Sequence, residues 1–221
     1  LYTMQSDIDK ICEWMENWQL QLSISKCIVL HIGRLNPNVN YLINGREIAT
    51  VDTQRDLGVL ISRNLRFHEH VDKVCKKAIG ITSLLLKNLC TKNLRMIIDM
   101  YKVFARPHLE YCSEIWNPSN LGDVLKLESI QRYFTRCLPG LHSLSYRERL
   151  SICGLETLEL RRLIKDLVFA YQITHGNSII NPYEFFDITD TSGRRRHPFY
   201  IRLPRYRLSL TQSFFQYRVI K

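Results

Sequence analysis

The sequence predicts an α+β fold in three parts: a small helix–strand–hairpin portion over residues 1–62, a mainly α-helical bundle over 63–176, and an irregular basic tail over 177–221. Short apolar runs closed by glycine or Asn-Gly are confined to the first part and read as strands. Apolar residues at helical spacing run from Phe67 to Thr174 and read as successive helices. Beyond about residue 186 that periodicity fades, and arginines alternate with aromatics and prolines.

Residues 6–22 place Ile8, Ile11, Met15, Trp18 and Leu22 on one helical stripe. Ser6 can cap its start, and Asp7 and Asp9 suit the first turn. Residues 27–33 read as a short buried strand ending at Gly33. Within 40–51, Asn44-Gly45 between apolar flanks predicts a tight hairpin, because both residues tolerate the positive φ such a turn needs. Residues 56–62 read as a further strand. Phe67, Val71, Val74, Ala78, Ile81 and Leu85 define one helix. Leu94, Ile97, Ile98, Tyr101 and Ala105 define the next, which Arg106-Pro107 should stop, since proline disfavours a helical residue before it. Val124, Leu127, Phe134 and Leu138 mark a third, closed by Pro139-Gly140. Leu160, Leu163, Ile164, Leu167, Tyr171 and Thr174 mark a fourth, closed by His175-Gly176-Asn177.

The 221 residues allow one domain or two small ones. Their 45% apolar and 24% charged content is ordinary for a globular chain, but a net charge of +10 favours an anionic partner, most commonly nucleic acid. The seven cysteines are odd in number and include no C-x-x-C pair, which fits reduced thiols in an apolar setting. No apolar run approaches the ~20 residues of a membrane span, and no secretory leader pattern is visible. An intracellular place, in nucleus or cytoplasm and away from membranes, is expected.

Five segments in order carry a resemblance. They are Trp14-x-x-x-Trp18-x-Leu20-x-Leu22 with Ser23-Ile24-Ser25-Lys26-Cys27; Tyr41-x-Ile43-Asn44-Gly45 with Arg55-Asp56-Leu57-Gly58-Val59; Arg106-Pro107-x-Leu109-Glu110-Tyr111-x-Ser113-x-Ile115-Trp116-x-Pro118; Glu128-Ser129-Ile130-Gln131-Arg132-x-Phe134-Thr135-Arg136, continuing to Tyr146-x-Glu148-Arg149-Leu150; and Leu155-x-Thr157-Leu158-Glu159-x-Arg161-Arg162. Together they resemble the reverse transcriptases of jockey-type non-LTR retrotransposons, over about residues 5–175. The resemblance implies that 1–62 is the C-terminal remnant of a polymerase palm, 63–176 a helical thumb, and 177–221 an Arg-rich extension. It also implies that the aromatic-Ala-Asp-Asp motif holding Mg²⁺ lies just upstream. Leu1 begins in mid-pattern, so a truncated C-terminal fragment is expected, with the rest of the palm and the fingers as its missing partner.

The chemistry of this family needs two metal ions held by carboxylates. The one tempting pair, Asp7 and Asp9, is spaced so that its members do not share a helix face. No metal site and no cofactor are therefore expected in this chain. By resemblance, Lys26 is the motif D lysine that protonates leaving pyrophosphate, a role latent without metals; the family's Asn is replaced by Ser23. Read without the family, Lys26 is a solvated turn lysine. Leu57-Gly58 resembles the primer grip, where glycine lets backbone approach backbone closely; a glycine kink in a core strand is the other reading. Lys73, Lys76 and Lys77 on the first thumb helix, Arg132 and Arg136 on the third, Arg161, Arg162 and Lys165 on the fourth, and Arg194, Arg195 and Arg196 in the tail form basic faces suited to phosphate. Tail arginines among Phe199, Tyr200 and Tyr206 suit RNA or a single strand. For zinc, His68-x-His70 and His108-x-x-x-Cys112 each lack a second half at finger spacing. RNA and DNA, as element RNA and primer–template, are the expected partners. A stand-alone helical RNA- or DNA-binding module and a non-functional pseudogene product are the alternatives. Purified full chain should give no template-dependent, Mg²⁺-dependent product in primer extension; appearance of such product would overturn the reading of the carboxylates.

Overall fold

The computed structural model describes residues 2–33, 35–88, 91, 93–188, 201–202, 211 and 213–220. The fold is α+β, and the chain divides into two compact units, Leu1–His70 and Val71–Lys221.

In the first unit, α1 spans Tyr2–Asn17. It starts before Ser6, which is interior to the helix and does not cap it, and it ends earlier than the apolar stripe predicts. Gln19 adopts a left-handed φ of 56°, and the Leu20 N–H donates to the Met15 carbonyl at 2.8 Å. That closure satisfies an end carbonyl and turns the chain away, so Leu22 is not helical. Cys12, on the inward side of α1, packs with Ile43 and Ile48 against Ile8, Leu22, Ile24, Val29 and Tyr41, whereas Ile11 and Trp18 are exposed.

Three two-stranded sheets complete this unit. Strand β1 (Ile28–Leu30) pairs in parallel with β4 (Ala49–Val51), while β2 (Leu42–Ile43) and β3 (Arg46–Glu47) form the hairpin that Asn44-Gly45 predicts. Asn44 and Gly45 have φ of 49° and 74°, the positive pair of a tight hairpin turn. The strand predicted over 56–62 is instead two strands, β5 (Thr53–Asp56) and β6 (Val59–Ser62), antiparallel about Leu57-Gly58. This corrects the core-strand reading of Gly58: both turn residues have positive φ, 43° and 94°, and Leu57 is 85% exposed at the tip.

Helix α2 (His68–Asn88) opens the helical part. It is followed by α3 (Leu94–Met100), and the helical path does not stop at Arg106-Pro107. A π-helical turn over Tyr101–Ala105, with the Arg106 N–H on the Tyr101 carbonyl at 3.0 Å, carries the chain into α4 (Pro107–Glu110). Proline is tolerated there because it occupies a first-turn position of α4 that needs no N–H. Helices α5 (Ser113–Trp116), α6 (Leu121–Arg136), α7 (Tyr146–Cys153) and α8 (Leu158–Thr174) follow. Within 177–221 the described residues are not wholly irregular: α9 covers Pro182–Phe185 and α10 covers Phe215–Arg218.

The core of the second unit joins Ile97, Ile98, Tyr101, Phe134, Leu138, Leu150 and Leu155, with Tyr101 stacked on Phe134 at 4.0 Å between ring centres. Helix α7, too short to stand out by periodicity, is marked by its cap. Ser145 and Glu148 form a reciprocal capping box, the Ser145 N–H donating to Glu148 Oε2 at 2.8 Å. The bonds from the Ser145 hydroxyl and backbone hold the Glu148 carboxyl below its ordinary 4.5. A depressed carboxylate stabilises the fold above its unfolded pKa, and that contribution is lost as pH falls through the lowered folded value. Ser145→Ala should cost about 1 kcal/mol in urea denaturation at neutral pH. The gap to wild type should shrink as pH drops below the ordinary carboxyl range; a gap constant down to acid pH would contradict the box.

Candidate nucleic-acid interface

Helix α2 buries Val71, Cys75, Ala78 and Thr82, so the opposite face is free for other work. Lys73, Lys76 and Lys77 lie on that face, exposed as their spacing predicts. Lys87, which the sequence reading passed over, extends the same stripe, so that lysines stand at i+3, i+4 and i+14 from Lys73, over roughly 21 Å of helix axis. The nearby Asp72 carboxylate is engaged by Lys126 of α6, and none of the four stripe lysines has an ion-pair partner among the described residues. Gly80 lies in the middle of the stripe. A Cβ there would meet no atom within 4 Å, so packing does not require glycine, although it weakens a helix by roughly 1 kcal/mol relative to alanine. Lys77 also acts on His108 of α4: burial first, and this positive charge second, hold the imidazolium below its usual range.

The remaining basic residues separate. Arg132 and Arg136 are exposed one turn apart on α6, and the Arg132 guanidinium lies 4.3 Å from the centre of the Tyr146 ring. Arg161 and Arg162 do not form a free basic face. Arg161 forks onto Glu110 at 2.5 and 3.1 Å and reaches Glu156 at 3.5 Å. Arg162 is 1% exposed, with Nε donating to Asn117 Oδ1 at 3.0 Å, and burial pushes its pKa down. Arg194, Arg195 and Arg196 lie outside the described residues. In the first unit, Lys26 is exposed at the end of a 3-10 turn, Ile24–Lys26, just before β1, and Leu57-Gly58 is the tip of the β5–β6 hairpin. Among the described residues no three His, Cys, Asp or Glu side chains gather where they could hold a metal ion, so the Mg²⁺ of polymerase chemistry has no fit among them.

Many of the motif residues instead build a polar network inside the second unit. Glu128, 5% exposed, accepts a bond from the Tyr146 hydroxyl and another from the Leu158 N–H at the start of α8, 2.9 Å away. Gln131 donates to the Tyr146 oxygen at 3.1 Å and to the Glu156 carbonyl at 2.8 Å. Burial, then the bond to Glu128, pushes the Tyr146 phenol well above its usual range. Arg149 donates to Thr135 Oγ1 at 3.1 Å and to the Leu144 carbonyl at 2.6 Å. Across α8, Lys165 meets Glu114 at 3.1 Å, and Asp166 accepts from Asn117 at 2.9 Å and from Arg218 at 2.7 and 3.0 Å.

Comparison with known proteins bears on this arrangement. No protein-family model and no solved structure matches the chain. The RNA-directed DNA polymerase from mobile element jockey of Drosophila melanogaster is 23% identical over 141 residues, 62% of this chain and 15% of that protein. The jockey polymerase of Drosophila funebris is 22% identical over 183 residues, 80% and 20% respectively. The likeness is to mobile-element RNA-directed DNA polymerases. An uncharacterized protein of Caenorhabditis elegans is 24% identical over 139 residues, 61% of this chain and 67% of its own length. The chain thus spans two thirds of the nematode protein but only 15–20% of the polymerases. This distant similarity supports a relationship to non-LTR retrotransposon reverse transcriptases.

The network predicts which motif residues act through stability. Glu128→Ala leaves the Tyr146 hydroxyl and the Leu158 N–H without their acceptor, and should cost about 3 kcal/mol. Lys76→Ala, on the exposed stripe, should stay within about 0.5 kcal/mol of wild type. Equal denaturation midpoints for the two variants would contradict this division.

Proposed function

We propose that this chain supplies nucleic-acid-holding surface to an RNA-directed DNA polymerase of the non-LTR retrotransposon type, with α2 as a thumb helix that tracks primer–template. The observation that carries the reading is the α2 stripe of Lys73, Lys76, Lys77 and Lys87, exposed and without carboxylate partners among the described residues. Cations spaced along one helix face neutralise successive phosphates and hold a duplex without reading its sequence. Gly80 leaves bare helix backbone among them, where a sugar–phosphate chain can come close. The distant similarity to jockey polymerases supports the same reading.

Within this proposal Arg132 and Arg136 are secondary phosphate contacts, the Leu57-Gly58 tip is the primer grip, and Lys26 is the motif D lysine. The exposure of Arg132, Arg136, Lys26 and Leu57 is compatible with contact to nucleic acid. Arg161 and Arg162 leave the surface interface, because Arg161 is forked onto Glu110 and Arg162 is buried. The nematode relative, in which the match covers most of a protein of similar length, favours a second reading in which the same surface works as a stand-alone RNA- or DNA-binding module.

Fluorescence anisotropy with an RNA–DNA hybrid tests the interface. Affinity should fall steeply with salt. Replacing Lys73, Lys76 and Lys77 together by Gln should reduce the log–log salt slope by about 2–3 and weaken binding by roughly 10- to 100-fold at low salt. An affinity flat in salt, or a triple variant with the wild-type slope, would overturn the proposal. Tight binding that shows no preference for a primer–template junction over plain single-stranded RNA would favour the stand-alone module.

A further inference from the structure

A cleft of about 340 Å³ lies between α4–α5 and α8, lined by Glu110, Ser113, Glu156, Arg161, Arg162 and Lys165 together with Ile164 and Val168. Its cations are used unequally. Arg161 is forked onto Glu110, and Lys165 donates to the Glu110 carbonyl at 2.9 Å and meets Glu114 at 3.1 Å. Arg162 is different. Its Nε is bonded to Asn117, but Nη1 and Nη2 are both buried without a hydrogen-bond partner among the described residues, and so is the Ser113 hydroxyl. Both side chains are at least 99% buried and both contribute to the same cleft.

A guanidinium out of water with four unmet N–H donors is among the costliest groups a fold can keep, unless an acceptor of opposite charge joins it. The buried and half-buried carboxylates around it are already engaged, Glu110 by Arg161, Asp166 by Asn117 and Arg218, and Glu128 by Tyr146 and the Leu158 N–H, while Glu159 lies exposed on the surface of α8. Among the described residues no acceptor meets these two amino groups, and one from outside the chain can. The geometry points to a binding site for a phosphate group, free or carried as a monoester, with Arg162 as its bidentate anchor and Ser113 as a second donor. The two terminal amino groups of an arginine match two oxygens of one oxyanion. A hydroxyl contributed by another helix suits a third oxygen, which phosphate has and a carboxylate lacks. The cleft is larger than phosphate alone requires and leaves space for the group that carries it. This site uses none of the α2 lysines and stands independently of the function proposed above.

Isothermal titration of the full chain with inorganic phosphate, at constant ionic strength in chloride, tests the site. Wild type should bind phosphate saturably. Arg162→Met should weaken binding by roughly tenfold or more, and Ser113→Ala by several-fold. The Lys73/Lys76/Lys77→Gln variant should bind phosphate as wild type does, which separates failure of this site from failure of the lysine stripe. Circular dichroism checks that each variant folds; if Arg162→Met does not, Ser113→Ala carries the decision. A short oligonucleotide with a 5′-phosphate, compared with its 5′-hydroxyl twin, distinguishes the sources. Preference for the phosphorylated strand that disappears in the variants assigns the site to a strand terminus, and equal binding of the two assigns it to free phosphate. Absence of saturable phosphate binding in wild type, or unchanged phosphate affinity in the folded variants, would overturn the assignment.

Discussion

Charge taken out of water must be answered by charge or by well-aimed dipoles, and the helical unit is organised around that demand. Glu128 receives both a phenol and the leading N–H of α8. Asp166 receives an amide and an arginine from α10. Glu110 receives the fork of Arg161. Each of these acceptors is reached from a different helix, so α4, α5, α6, α7, α8 and α10 share one set of directional bonds. A purely apolar interface could slide by a fraction of a turn at small cost; bonds of this kind lose most of their strength once misaligned.

This organisation gives a physical meaning to the residues on which the resemblance rests. Glu110, Ser113, Trp116, Glu128, Gln131, Tyr146, Glu148, Arg149, Thr157, Arg161 and Arg162 bond to one another, cap helices or fill the interior. The surface lysines of α2 belong to no quoted motif. Resemblance therefore reports mainly on the scaffold, and contact with nucleic acid is argued from exposed charge. The two kinds of evidence meet on the same unit without resting on the same residues.

Some of this was legible in the chain. Asn44-Gly45 marked its hairpin because few residue pairs accept two successive positive φ values, and the apolar spacing of α2 pointed its lysines outward. Leu57-Gly58 was misread as strand interior, since leucine in the left-handed region is rare and nothing local announces it. The π-helical turn hid the continuation past Pro107, because a wider turn relieves the clash that proline usually creates. Helix α7 was legible only in Ser145 and Glu148, its eight residues being too few for a periodic signal. The fourth helix was legible as a helix from its periodicity, but its buried face was not. Its apolar residues Leu163, Ile164, Leu167 and Val168 are exposed, while Leu158, Arg162, Asp166 and Ile173 face inward.

That reversal of α8 sets how the helix can be oriented about its own axis. Turning it by about half a turn, roughly two residues at about 100° each, would hide the leucines and satisfy simple hydrophobic burial. The same turn would strand Asp166 and pull the Leu158 end off Glu128, leaving buried acceptors unanswered. Greasy attraction alone thus prefers the wrong azimuth, and electrostatics selects the right one.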